Sequence, residues 1–338
     1  MAFEQPSAAV LTEGHATPRK ASVTVIGAGA FGTAVGVSLA RGGHAVTLCC
    51  RTEEQASAIN AEGENRNYFP GHALPNTVSA TSRLEPALSA DVVCLAFPAK
   101  QMDDYVARFE RDLPPDAIVI NLVKGLHDQT FTFAGLFAQR LPGVRYVALK
   151  GPTFARPLFN AEWSGLTCGT SSESARQVVQ DLFRGLPVDL DHCASAEAVD
   201  AVSAIKNVYA VVLGLVASMG LTENTTFLLI SRIVKEISII LRRLGYDSSA
   251  LLCHCGLGDT LLTGLCDTSR NRTLGFMMGK GIPIDPNRSG FLAEGSRAVT
   301  TLHRRAGGPD TPLLEAVQEI LAGHAQPISI LAILGGRA

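Results

Sequence analysis

Three glycines set between a β-branched run and a helical pattern constrain this chain more than any other feature. In ASVTVIGAGAFGTAVGVSLARGGHAVTLCCR, residues 21–51, Ser22 to Ile26 has the apolar, β-branched character of a buried parallel strand. Phe31 to Ala40 has the spacing of a helix, and Ala45 to Cys49 returns to strand character. Gly27, Gly29 and Gly32 fall in GxGxxG spacing at the strand-to-helix turn. The first glycine suits a tight turn, the second lets a pyrophosphate approach the backbone, and the third lets helix and strand pack closely. The N–H groups and dipole of the following helix then face the phosphates. Glycines also mark ordinary turns, but here the flanking elements have the order and length of a βαβ unit, so dinucleotide binding is expected.

An acid at the end of the second strand would hydrogen-bond the 2′-hydroxyl of NAD. This chain has Cys50, Arg51 and Thr52 there. A guanidinium at Arg51 is suited to stack on adenine and meet a 2′-phosphate, so NADP is expected to be tolerated or preferred. The plain alternative is an exposed arginine at a strand end.

Further apolar runs at 91–98 (DVVCLAFP), 117–125 (AIVINLVKG) and 145–152 (RYVALKGP) each end in Pro or Gly. Strands whose carboxyl ends open onto a ligand crevice do this. The expected fold class is α/β: a doubly wound, mainly parallel sheet over residues 22–190, after a flexible lead-in over 1–21. Lys124 and Lys150 both stand at strand ends; the first is read as facing the crevice and the second as a loop charge. From 191 to 338 the pattern becomes long and helical, so an all-helical second domain is expected.

No dense Lys/Arg run occurs and the formal net charge is −2, which disfavours nucleic acid or an anionic membrane as partner. The longest apolar stretch, Val208 to Leu221, is interrupted by Gly214 and Gly220 and is shorter than the roughly 20 residues of a spanning helix. Eight scattered cysteines lack the dense framework of a secreted scaffold, so reduced thiols and a cytoplasmic location are expected. Cys253-His254-Cys255 has no second cluster at finger spacing, and no metal site is expected.

Within the helical half, SAIKNVYAVVLG places Lys206 and Asn207 together on an apolar helix. Such a lysine must snorkel, pair, or sit in a cleft where its proton is used. Asp259 follows two glycines and is read as an N-cap, with Thr263 one turn on along the same face. In SRNR, residues 269–272, Arg270 and Asn271 offer a planar fork of donors plus an amide, chemistry suited to a phosphate.

From about Ser22 onward the chain resembles the NAD(P)-dependent glycerol-3-phosphate dehydrogenases, through GAGAFGTA, NRNYFPG, LVKGL, KGPTFA, IKNV, GLGDTLLT, SRNRTLG and AEG. The resemblance implies a Rossmann domain followed by a helical domain that binds substrate and pairs as a homodimer. The implied reaction is reversible hydride transfer between NAD(P)H and dihydroxyacetone phosphate, a small phosphorylated substrate, within glycerophospholipid metabolism. It makes Lys206 the general acid/base, with Lys124 as a second active-site lysine and Asp259 as the orienting carboxylate. Lys124, Asn207, Thr263, Arg270 and Asn271 become substrate contacts, the last three around the phosphate. Gly27, Gly29, Ala30, Phe31, Gly32, Arg51, Pro98, Lys124, Ala155, Arg270 and Glu294 become cofactor contacts. The chain departs from the family pattern at Lys150, Arg156, Asp200 and Ser203; Ser203 is expected to add bulk beside the catalytic pair. Two other readings stay open: a relative acting on a different phosphorylated or hydroxy-acid substrate, and a nucleotide sensor without turnover.

Overall fold

The computed structural model describes residues 20–282 and 294–334, so the expected lead-in lies, apart from Lys20 and Ala21, outside the described residues. In chain order the first half comprises β1 (Ser22–Ile26), α1 (Ala30–Arg41), β2 (Ala45–Cys49), α2 (Glu53–Glu62), β3 (Val78–Thr81), α3 (Leu84–Ala87), β4 (Val92–Leu95) and α4 (Met102–Asp112). It continues through β5 (Ile118–Asn121), α5 (Phe133–Arg140), β6 (Arg145–Lys150), α6 (Ala155–Phe159), β7 (Ser164–Gly169), α7 (Glu173–Phe183) and β8 (Val188–Cys193). The rest is helical: α8 (Ala196–Ala217), α9 (Glu223–Arg243), α10 (Asp259–Leu265), α11 (Arg270–Gly279), α12 (Glu294–Ala306), α13 (Pro312–Leu321) and α14 (Ile330–Leu334), with short tight turns between them.

The strands form one sheet in the order β3-β2-β1-β4-β5-β6-β7-β8. β1 to β6 are parallel, β7 runs antiparallel to β6, and β8 is parallel to β7. The central strands are buried on both faces, which is why their sequences read as continuous apolar runs rather than alternations. Helices cover both faces: α1 and α7 pack on one, α3, α4 and α5 on the other. Strand character does not stop at Leu190, because β8 continues to Cys193.

Caps fix where several helices begin. Thr52, Ser172, Ser195 and Ser269 each accept a backbone N–H of the first turn of α2, α7, α8 and α11. The helical half is organised around α8, which is buried without a break from Ala198 to Val216. Small residues let its neighbours come close. A Cβ added at Gly275 of α11 would lie 2.0 Å from the Val211 carbonyl oxygen, and one at Gly214 of α8 would lie 2.0 Å from that of Arg272. The helix is longer than the Val208–Leu221 stretch on which the membrane expectation rested: α8 has 22 residues and is long and apolar enough to cross a membrane by length and composition. It is nevertheless enclosed by protein on all sides, the situation of a core helix.

Candidate active site

β1 lies between β2 and β4, the place where chain order along the sheet reverses and a crevice opens at the strands' carboxyl ends. The three glycines beyond β1 have three distinct environments. Gly27 has φ +109°, and a Cβ there would stand 2.5 Å from the Ala96 carbonyl oxygen. A Cβ on Gly32 would stand 2.0 Å from the Gly27 carbonyl oxygen, whereas one on Gly29 would meet nothing within 4 Å. Gly29 therefore presents bare backbone to an open side. The Ala28 carbonyl is drawn away by two side-chain amides, Gln55 Nε2 at 3.0 Å and Asn65 Nδ2 at 3.0 Å. Asn65 Nδ2 also donates to Thr33 Oγ1 at 2.9 Å. Helix α1, which starts at Ala30 and Phe31, has no side-chain cap and no acid in its first turn. An open glycine face below an uncapped helix N-terminus fits a pyrophosphate. Asn65 and Gln55 were not singled out from sequence, although Asn65 opens the NRNYFPG motif.

Other residues expected at the cofactor share this carboxyl edge. Pro98 opens the turn after β4, and Ala155 begins α6 after β6. Arg51 stands two residues beyond β2 and is exposed. Lys124 lies just beyond β5 and is followed by Gly125 at φ +148°, whose absent Cβ would otherwise press to 3.0 Å from that of Ala99.

Lys124 and Lys206 meet at Asp259. Lys206 Nζ donates to Asp259 Oδ1 at 2.7 Å and to Thr263 Oγ1 at 2.5 Å, and Lys124 Nζ donates to Asp259 Oδ2 at 3.0 Å. Lys206 and Asp259 are fully enclosed, while the Lys124 side chain keeps 25% of its surface exposed. The cluster is thus closed on the Lys206 side and reaches solvent on the Lys124 side. Burial pushes the Lys206 ammonium down, Asp259 opposes this and Lys124 adds to it, leaving its pKa at about 8. Burial alone would raise the Asp259 carboxyl, but the two ammonium groups outweigh it and hold the group below its ordinary range. An ammonium so placed can give up and regain a proton near neutral pH.

Asp259 is not the N-cap expected. Residues His254–Gly258 form a wide turn that runs straight into α10, so Gly258 takes the cap position in helical conformation. The Asp259 carboxylate is left to face the lysines. Thr263 is one turn along α10, as its spacing implies, but its hydroxyl is engaged by Lys206 and lies 3.2 Å from Asp259 Oδ1.

Asn207 is buried beside Lys206 on α8. Arg270 and Asn271 are the first two residues of α11 after the Ser269 cap, the arginine exposed and the asparagine buried. Along α11 the Arg272 carbonyl lies against Gly214, Gly275 against Val211 and Gly279 against Ser218, so the helix packs on the Val211–Ser218 stretch of α8. Glu294 begins α12, and its side chain lies outside the described residues. At the other end of α12, Arg305 Nη2 donates to the carbonyls of Asp128 at 3.3 Å and Gln129 at 2.6 Å, tying this helix to the loop after Lys124.

Lys150 is not a loop charge. It is the last residue of β6, 1% exposed, with its ammonium against the carbonyls of Asn121 and Val123 and 3.3 Å from Asp200 Oδ1. Ser203 is wholly buried, and its hydroxyl finds no partner among the described residues. Arg156 is exposed on α6. Among the described residues no three His, Cys, Asp or Glu side chains converge as a metal site.

Comparison with known proteins agrees over both halves. Residues 22–176 match the family model described as NAD-dependent glycerol-3-phosphate dehydrogenase N-terminus, and 196–332 match the corresponding C-terminus. A glycerol-3-phosphate dehydrogenase [NAD(P)+] of Alcanivorax borkumensis is 32% identical over 93% of this chain and 93% of its own length. One of Desulfovibrio desulfuricans is 32% identical over 94% of this chain and 98% of its own. The crystal structure of glycerol-3-phosphate dehydrogenase from Coxiella burnetii shares the fold with a TM-score of 0.84 at 23% identity, covering 93% of this chain and 98% of that one.

Proposed function

This chain belongs to the NAD-dependent glycerol-3-phosphate dehydrogenase family, and on that premise we propose that it interconverts dihydroxyacetone phosphate and sn-glycerol 3-phosphate with NAD(P)H. The observation that supports this most directly is the Lys124–Asp259–Lys206 bridge beyond β5, two strands from the glycine loop in the same sheet. NAD(P)H, held by the Gly27–Gly32 loop with Pro98 and Ala155 along the same edge, supplies the hydride.

Lys206 holds the proton that the carbonyl oxygen needs as it becomes an alkoxide, and takes one back in the oxidative direction. Burial, with the Lys124 charge adding to it, makes the proton labile, and Asp259 opposes both enough to keep that ammonium charged. Thr263, bonded to both, fixes the direction of Lys206 Nζ. Lys124, the more open lysine, and Asn207 face the polar part of the substrate. Arg270 and Asn271 hold its phosphate, where a guanidinium fork gives bidentate contacts.

Arg51 is placed to meet a 2′-phosphate, so NADP is tolerated or preferred. On this reading residues 22–190 serve the cofactor, and 191–338 serve substrate and homodimer contacts. Eight unpaired cysteines are consistent with a reducing cytoplasm, and the product is the backbone unit of glycerophospholipids.

The deciding experiment is NADPH and NADH oxidation by the purified protein with dihydroxyacetone phosphate and with unphosphorylated dihydroxyacetone. Turnover of the phosphorylated ketone alone is expected. Comparable efficiency on both would overturn the phosphate pocket and point to a different substrate.

A further inference from the structure

We propose that Lys150 is a positioning residue: its ammonium group ties the backbone that carries Lys124 to Asp200 on the helix that carries Lys206, and so sets the spacing of the two lysines across Asp259. The inference rests on the active-site reading above and adds a residue on which that reading does not draw.

Lys150 Nζ donates to the Asn121 carbonyl at 2.7 Å and the Val123 carbonyl at 2.8 Å, and lies 3.3 Å from Asp200 Oδ1. An ammonium has three N–H donors, and here it has three acceptors. Asn121 is the last residue of β5 and Val123 lies in the turn beyond it, one residue before Lys124. Buried carbonyls need a donor; the Val123 carbonyl also takes Asn121 Nδ2 at 3.4 Å, and the lysine supplies the closer contact. The backbone entering Lys124 is thereby fixed from one side, with Gly125 and its tight approach to Ala99 on the other.

The other end of the tie is equally specific. Asp200 also accepts Asn121 Nδ2 at 3.2 Å, the Tyr146 hydroxyl at 2.7 Å and the Ala134 backbone N–H at 2.9 Å. Six residues separate Asp200 from Lys206 on the unbroken helix α8, a rigid offset of about 9 Å at the α-helical rise. The two strands that carry the tie and the helix that carries Lys206 are therefore locked together at a point just below the reacting groups.

Stability alone gives weak reason for such a pair. Burying two charges costs roughly what their attraction returns, and apolar residues of similar volume often serve as well. A fixed distance is what apolar packing supplies less sharply. Burial lowers the Lys150 pKa, Asp200 opposes this and the Lys124 charge adds to it, leaving it at about 8, consistent with its place near Lys124.

The test is a cycle on kcat for dihydroxyacetone phosphate reduction at saturating NADPH. Lys150→Met alone leaves Asp200 buried without its partner and risks misfolding, so the principal variant is Lys150→Met with Asp200→Asn, which removes both charges. It is made in the parent and in Lys124→Met. In the parent, kcat should fall on the order of tenfold or more, the scale of an ångström-sized displacement at a reacting group. The pH limb that follows Lys206 should move upward, as it should in Lys124→Met, because a displaced Lys124 no longer depresses it. In the Lys124→Met background the same paired change should cost less than about twofold, since the position of residue 124 no longer matters. Equal losses in both backgrounds, or no loss in either, would overturn the positioning role while leaving the active-site reading intact. Parental turnover by Lys124→Met would overturn both.

Discussion

Lys206 Nζ stands 2.7 Å from Asp259 Oδ1, with neither side chain more than 2% exposed. A buried ammonium and carboxylate at this distance make each other's charge tolerable, and the second carboxylate oxygen does the same for Lys124. Asp259→Asn removes the charge and leaves two cations facing each other. Breaking one side of a buried pair costs about 3–5 kcal/mol. The variant should unfold at lower urea than the parent, and its kcat should fall roughly a hundredfold, the scale of losing a positioned proton donor. Steady-state kinetics beside urea unfolding check both; a kcat within a few fold of the parent would remove Asp259 from the chemistry.

The direction of the pH dependence follows from the same contacts. In the role proposed for Lys206, ketone reduction needs it protonated and alcohol oxidation needs it neutral. With its pKa held at about 8, kcat/KM for reduction should be flat below that pH and fall above it, while kcat/KM for oxidation should rise to a plateau. Since Asp259 raises the Lys206 pKa, Asp259→Asn should move both midpoints to lower pH. Profiles in the two directions from pH 6 to 10 decide this. Rates independent of pH across that span would exclude Lys206 as the titrating group.

How much of this was legible in the chain depended on how local the determinant is. β1, α1 and β2 could be read because strand, turn and helix are contiguous and each obeys its own period. β7 and β8 could not. SGLTCG is short and glycine-bounded, and VDLDHC carries three polar residues on an outer strand, so neither resembles the apolar runs of the sheet centre. The site divides in the same way. Lys206, Asp259 and Thr263 were visible through their motifs, and the i,i+4 spacing of the last two correctly put them on one face. The capping role of Asp259 was misread because the turn before it continues the helix backward. Lys150 was misread because its partner, Asp200, is 50 residues away, and nothing at a strand end tells whether a lysine turns outward or into the protein. Asn65, which draws off the Ala28 carbonyl across 37 residues, was missed for the same reason.

Arg51 is exposed two residues beyond β2, at the carboxyl edge where the adenosine ribose of a bound dinucleotide would lie. Arg51→Ala should therefore raise KM for NADPH more than KM for NADH, because only the former carries a 2′-phosphate for the guanidinium to meet. A loss of roughly tenfold in kcat/KM with NADPH, against little change with NADH, is the size expected for one charge-assisted contact at an exposed site. Kinetics with both cofactors measure it, and equal losses would mean that the arginine only stacks on adenine.

The substrate end of the site offers the sharpest comparison. Arg270 and Asn271 open α11, which packs on α8, the helix that bears Asn207, and Arg270 is exposed. If the guanidinium grips a phosphate through two parallel N–H contacts, Arg270→Lys keeps the charge but loses the fork. The variant should raise KM for dihydroxyacetone phosphate roughly tenfold or more, since one charge-assisted contact is worth about 1.5–3 kcal/mol. Its kcat should fall too, because binding energy at the phosphate holds the carbonyl against Lys206. With unphosphorylated dihydroxyacetone, parent and variant should be equally poor. A fall of the same size with both ketones would show that Arg270 supports the fold of α11 rather than the phosphate, and unchanged kinetics with the phosphorylated ketone would take it out of the site.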